Sequence, residues 1–543
     1  MVKIRDSITT AIPYSVALVA FADDFVYTSG MLCYTVGRES LRLLDLHKSA
    51  DTEIVIDTRV LLQSVPEQNF GNSNYKFRPI HYADGIVSCL YIPPRTEGRS
   101  HLLVIDIGTR QLLTCHRLES HQKLFVRNDG DHLYYGTHSL VGDDGFKRWV
   151  LKRFSILDKK WGPGHLDLED LVGSDIGATV CFEIIDGYFY GLSSLTSFEV
   201  YETDWTSIYY GFRFPVGSSC PRDMELTSKK DMWRRQQNEG PIDDRWSTLG
   251  LEKDPATGKF MVVECRREYL VDDCSSTRTS YRTELEFSNE DEDNLEEEGD
   301  AQARTHPSSL THRGDSGSTT PSITLTHCFI RSYNKSCETF IDLVNDPIAA
   351  ESMAQRPQLR SISRLRQGEI SQRQGESLTN TTNNISWWLP ENNAQQRNAK
   401  LDELDYILNP RGKSQQNVIS GVMDDRSIVY AVGPRSSQSK RPLVFISFDP
   451  SIKLRGLDHW PGGPRTAPVP SGDHKKTEAN PTPQSIPASA PAVSTPGPSK
   501  LGADPISETG KPELPAWGTA PAMYSEMRTL GTPSGFDFAY HGS

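Results

Sequence analysis

A two-strand unit that recurs along the chain restricts its fold more than any other feature. Glycine-bearing turns stand at Gly30, Gly85, Gly130 and Gly187, at spacings of 55, 45 and 57 residues. Each turn opens a short apolar strand, and after a variable loop a second strand ends on an acidic or polar residue. SGMLCYTV is followed by SLRLLDLH, and ADGIVSCLYI by SHLLVIDIGTRQLL. NDGDHLYYGTHS, IDGYFYGLSS and the late DDRSIVYAV begin further copies. Glycine permits the positive φ that a tight turn demands. A period of about 40–50 residues, each copy a small antiparallel sheet, predicts an all-β fold of the β-propeller type. The copy near residue 425 then closes the ring. Tandem β-sandwiches are the alternative.

Apolar residues make up 36% of the 543, below the roughly 45–50% of an average soluble domain, a figure that also counts glycine. Three polar segments account for the dilution. Eight of the eleven residues 290–300 are acidic, 354–384 is rich in Arg, Gln, Ser and Asn, and 461–521 holds 14 of the 34 prolines. Such stretches repel themselves or have nothing to bury. The expected organisation is blades over 10–287, an acidic disordered insert over 288–321 and a strand-containing segment over 322–353. A disordered insert over 354–392, a helix and closing strands over 393–460, and a disordered Pro-rich tail over 461–543 follow. The helix is read from Leu401, Leu404 and Leu408, which share one face of 393–409.

The net charge of −13 argues against nucleic acid as the main ligand. No apolar run reaches the roughly 18 residues of a spanning helix. The nine cysteines lack a C-x-x-C pair, and most sit in apolar strand-like runs, so reduced buried thiols and an intracellular location, cytoplasmic or nuclear, are expected. The stretch SVALVAF is read as a strand and not as a leader peptide.

No catalytic, cofactor or metal site is expected. GDSGS at 314–318 lies in a Ser/Thr/Gly-rich insert without strands to hold a triad. The histidines are dispersed, and Asp204, Glu239, Asp243 and Asp244 are read as turn or rim positions. The densest polar-aromatic block is DMWRRQQNEGPIDDRW, 231–246. Its Trp233, Arg234, Arg235, Arg245 and Trp246 are the residue types that dominate binding hot spots. They are candidates for partner binding. The competing reading packs the tryptophans between blades and pairs the arginines with Glu239, Asp243 and Asp244. After the block, STLGLEKDPATGKFMVVECRREYL predicts a hairpin turning at Asp254–Gly258.

The run WRRQQNEGPIDDRWSTLGLEKDPATGKFMVVECRREY (233–269), followed by SSTRTSYRT (275–283), resembles a large group of F-box proteins of filamentous fungi. VGSDIGATVCFE, DGYFYGLSSLTSFEVYETDWTSIYYGFRFP, LYYGTHS and GMLCYTV resemble the same group. The resemblance covers about 10–287 and the strands near 419–450. It implies a propeller-like substrate-recognition body. A protein partner is expected, and Arg234, Arg235 and Arg245, whose guanidinium forks match phosphate, make a phosphorylated one a candidate. In that family an F-box docks the body on the small adaptor subunit of a cullin-based ubiquitin ligase. The chain opens on MVKIRDSITTAIPYSV, read as leading straight into the first propeller strand, so the adaptor subunit is expected as a partner only if an F-box is encoded upstream. A standalone scaffold without ubiquitin function is the alternative, and a propeller enzyme such as a glycosidase a minor one.

Overall fold

A computed structural model describes residues 2–65, 75–94, 99–195, 207–218, 223–228, 232–235, 242, 246–254, 257–269, 276–287, 310–312, 328–345, 357–363, 384–387, 417–434, 440–454, 458–459 and 516–524. Among these, seven antiparallel sheets of four or five strands form the blades of a β-propeller. Blade 1 runs through Phe25–Thr28, Met31–Val36, Ser40–Asp45 and Thr52–Asp57. Blade 2 comprises Lys76–Ala83, Ile86–Ile92, His101–Asp106 and Gln111–Arg117. Blade 3 has Phe125–Asn128, His132–Val141 and Lys147–Ser155, with Lys160–Trp161 and Leu166–Leu168 sharing its outer edge. Blade 4 is Val180–Ile185, Tyr188–Ser193, Tyr210–Pro215 and Glu225–Leu226.

Blade 5 contains the expected hairpin, Thr248–Lys253 with Phe260–Tyr269, then Ser276–Glu284 and Leu310–His312. Blade 6 is built from Cys328–Asn334, Thr339–Asn345, Pro357–Ser363 and Asn384–Trp387. In blade 7, Asn417–Met423, Ser427–Pro434 and Arg441–Ser447 are completed by the N-terminal strand Ser15–Ala22. The early and late ends of the chain thus share one sheet, and the ring is closed by main-chain hydrogen bonds.

Each blade's middle strands alternate between two neighbours, because successive side chains of a strand point to opposite faces. Ile428 and Tyr430 pack on Ile341 and Leu343 of blade 6, while Val429 meets Leu32 and Tyr34 of blade 1. Cys33 of blade 1 turns to Val87 and Cys89 of blade 2. Leu90 and Leu102 pack with Leu133 and Tyr135 of blade 3, and Phe125 and Trp149 with Phe182 and Phe189 of blade 4. Fully burying one such side chain is worth roughly 1.5–3 kcal/mol. The repeat visible in the sequence is this pair of middle strands, which must be apolar on both faces.

The turn glycines fit their expected role with one exception. Ser29-Gly30, Asp84-Gly85 and Asp186-Gly187 have positive φ at both residues, the two-residue geometry that suits the twist of a hairpin. Gly130 does not. Its wider turn is held by the Asp129 carboxylate, which accepts from the Asp131 and His132 amides at 2.9 and 2.7 Å.

Three expectations need correction. Strands Leu310–His312, Pro357–Ser363 and Asn384–Trp387 fall inside segments read as disordered inserts. Leu310–His312 and Asn384–Trp387 are outer strands, which main-chain pairing carries with little apolar periodicity. Pro357–Ser363 pairs on both sides, and the buried apolar side chains among its described residues, Leu359 and Ile362, are too few to mark a strand in the sequence. Within the tail, Trp517–Pro521 adds a fifth strand to blade 1. Ahead of the first propeller strand, Val2–Thr9 is a helix. Ile8 packs with Ile330 and Ile341, and Ser361 donates to the Thr9 carbonyl at 2.7 Å. The helix expected over 393–409 lies outside the described residues.

Replacing Gly85, whose φ is +78° with open space where a Cβ would stand, by alanine should cost only the left-handed strain, about 1–2 kcal/mol. At Gly30 a Cβ would stand 2.2 Å from Cγ of His47. Gly30→Ala should therefore cost about 1–3 kcal/mol more, read as the difference in urea midpoint between the two variants.

Candidate functional site

The interfaces on either side of blade 5 differ from the rest. Their apolar clusters are small: Leu192 and Tyr209 with Leu249 and Val262 toward blade 4, and Cys265 with Phe340 and Ile362 toward blade 6. Charge fills the remaining space. The second strand of blade 5 reads Glu264-Cys265-Arg266-Arg267, and its period of two sorts these residues. Glu264 and Arg266 face blade 4, and Cys265 and Arg267 face blade 6.

On the blade 4 side, Arg234 reaches Glu264 with Nε at 2.9 and 3.1 Å and a terminal nitrogen at 2.5 Å. Tyr209 donates to the same carboxylate at 2.7 Å. Arg266 stacks 3.6 Å over the Tyr281 ring and donates to the Arg234 carbonyl at 3.1 Å. Burial pushes the Glu264 carboxyl upward, but the Arg234 and Arg266 guanidiniums and the Tyr209 hydroxyl outweigh it and hold it at about 2. Burial also lifts the Tyr209 phenol well above its ordinary value, and Glu264 beside it adds to the rise.

On the blade 6 side, Trp246 is 1% exposed. It stands two residues before Thr248, which pairs with Cys265, so it arrives level with Arg267 and Arg278, themselves a cross-strand pair. The guanidiniums of Arg267, Arg278 and Arg360 lie 5.4, 5.1 and 5.1 Å from its ring centre, within cation–π range. Arg278 and Arg360 share Asp342 at 2.6 and 3.0 Å, and Arg278 also covers the Phe340 ring at 4.0 Å.

The sequence candidates therefore separate. Arg234 and Trp246 are buried between blades. Trp233 belongs to a two-stranded ribbon, Ser207–Ile208 with Trp233–Arg235, and is 36% exposed. Arg235 pairs in the ribbon, but its side chain lies outside the described residues. Arg245, Asp204, Glu239, Asp243, Asp244 and the GDSGS segment lie outside them too. Sequence reading missed Glu264, Arg266, Arg267, Arg278, Asp342 and Arg360. The available signal was arginine and glutamate at alternate positions of strands that also carry Val262, Cys265, Leu359 and Ile362. A strand with charge among core residues has buried ion pairs.

A second constellation joins blades 7 and 1. His47 Nε2 lies 3.0 Å from Ser427 Oγ and 3.1 Å from Asp424. This is not a nucleophile triad, in which the carboxylate holds the nitrogen opposite the serine. Here Nδ1 meets Arg426 at 2.9 Å, so the nitrogen facing Ser427 carries the proton. Tyr27 and Asp424 also engage Ser427, at 2.5 and 2.9 Å. The cluster locks the closing seam. Burial pushes the thiols of Cys33, Cys89, Cys181 and Cys265 above their ordinary range, which suits packing and not nucleophilic chemistry.

No family model matches the chain, and no curated relative matches it. Solved structures similar to it include the polysaccharide lyase Uly1, 10% identical over 80% of this chain and 91% of that one, with a TM-score of 0.33. The WD40 domain of SCAP from fission yeast is 9% identical over 80% and 95%, with a TM-score of 0.32. A xylan β-1,4-xylosidase from Bacillus halodurans C-125 is 11% identical over 82% and 94%, with a TM-score of 0.23. At these scores the likenesses carry no argument about activity.

Glu264→Gln and Asp342→Asn each leave guanidiniums buried without their carboxylate and should each cost about 3–5 kcal/mol, read by chemical denaturation. Because the Glu264 carboxyl is depressed in the fold, its stabilisation is present above the unfolded value near 4.5 and is lost as pH falls toward about 2. Glu264→Gln should flatten that part of the stability–pH curve.

Proposed function

We propose that the chain is a non-catalytic, protein-binding propeller, and that it serves as the substrate-recognition body of an F-box-type ubiquitin-ligase adaptor. The observation that carries the binding role is Trp233. It is exposed on a short ribbon whose next residue, Arg234, is clamped to the buried Glu264. An aromatic on a seat fixed in this way has lost much of its freedom before a partner arrives, which lowers the cost of binding. Arg234 faces inward, so recognition of a phosphorylated partner would rest on Arg235 and Arg245. The ligase role rests on the resemblance of 233–269 and 275–283 to fungal F-box proteins. A glycosidase is less well supported at this place. An acid catalyst needs a raised carboxyl, whereas Glu264 is held ionised.

The full chain and Trp233→Ala should be compared as baits in extract of the source cells, with quantitative mass spectrometry. At least one protein should be captured by the former and depleted at least fivefold with the latter. The same bait produced with in-frame sequence upstream of Met1 should bring down the cullin adaptor subunit. An identical capture by both baits would remove Trp233 from the interface. Retained partners without the adaptor subunit would leave a scaffold outside the ubiquitin system.

A further inference from the structure

The propeller is complete without residues 516–524. Blade 1 has its four strands, and Ser15–Ala22 already closes the ring. Yet this segment, separated from His459 by 56 residues rich in Pro, Ser and Ala, is seated on the outer edge of blade 1. Trp517–Pro521 pairs antiparallel with Thr52–Asp57, Trp517 opposite Ile56 and Pro521 opposite Thr52. The Asp57 amide donates to the Ala516 carbonyl at 2.7 Å, and the Ala522 amide to the Asp51 carbonyl at 2.8 Å.

Beyond the strand the chain enters the seam between blades 7 and 1. Ala522 and Tyr524 are buried there with Ile452 and Leu454. The Tyr524 hydroxyl donates to the Ala50 carbonyl at 2.7 Å, and the Phe21 amide points at Met523 Sδ at 3.4 Å. Trp517 packs on the other side, against the cluster between blades 1 and 2. Main-chain pairing to a sheet edge, with side-chain seats beyond it, is the architecture of strand-addition peptide recognition.

We propose that the outer edge of blade 1, with the adjoining seam, is a peptide-docking site, and that residues 516–524 are its tethered ligand. The site reads an extended backbone, a small residue where Ala522 sits and a tyrosine two residues later. The composition of 460–515 is that of a spacer. A tether of this length gives an effective concentration on the order of millimolar or below, so the segment occupies the site in cis and a partner with the same pattern must displace it.

The test uses the full chain with a specific protease site placed at 480–486. A labelled 514–526 peptide is titrated before and after cleavage, with anisotropy as the readout. The cleaved chain should bind it saturably and release its own C-terminal piece, and the uncleaved chain should bind at least tenfold more weakly. A peptide carrying Ala522→Glu should bind the cleaved chain at least tenfold more weakly than the native sequence. Three results would each overturn the proposal: no binding after cleavage, equal binding of the two peptides, or loss of the body's cooperative urea transition as the native piece leaves. The last would make the segment part of the folded body and not a ligand of it.

Discussion

Every blade of this protein has two faces to cover and no means of covering them alone. The middle strands are buried on both sides, so Ile428 and Tyr430 need blade 6 as much as Val429 needs blade 1. Stability is therefore a property of the closed ring, and the strand Ser15–Ala22 supplies the closure, with Ser15 opposite Ser447 and Ala22 opposite Arg441. The His47, Asp424, Ser427 and Tyr27 hydrogen bonds sit at that same seam. Polar groups fix its geometry where two ends of the chain must find one another.

Blade 5 solves the same covering problem with different chemistry. Guanidiniums stack on Tyr281, Trp246 and Phe340 and share Glu264 and Asp342. Apolar side chains of equal volume would be at least as stable in such positions. Charged pairs, however, tolerate few alternative registers, because a slipped strand strands a charge. We read the arginines as fixing how blades 4, 5 and 6 dock on one another, with the exposed Trp233 carried on the piece that is fixed. The segment 516–524 adds an element outside this order, an extra strand on an edge that the ring leaves open.

Legibility in the sequence followed the physics of burial. Strands covered on both faces announce themselves as apolar runs between Gly/Asp turns, so the propeller pattern could be read from SGMLCYTV, SCLYI and YFYGL. The hairpin at 248–269 was equally plain from Asp254 and Gly258. Outer strands such as Leu310–His312 and Asn384–Trp387 were not, because backbone pairing leaves no periodic trace in composition. The site was half legible. The block 231–246 drew attention through its tryptophans and arginines, but which of them faces solvent depends on strand pairings. Arg234 turns inward because Glu264 waits there from a strand 30 residues away.

Local pattern was enough for the all-β class, the repeating middle strands and the turns between them, since periodicity and the φ demands of a glycine are properties of neighbouring residues. It took the contacts of the folded chain to show that the described residues make seven blades, that Ser15–Ala22 belongs to the last of them, that Trp246 is a wall and Trp233 a surface, and that 516–524 lies on blade 1. Each of those is a contact between residues far apart in sequence. What selects such a contact is the shape and charge of two distant surfaces, which no single stretch of chain contains.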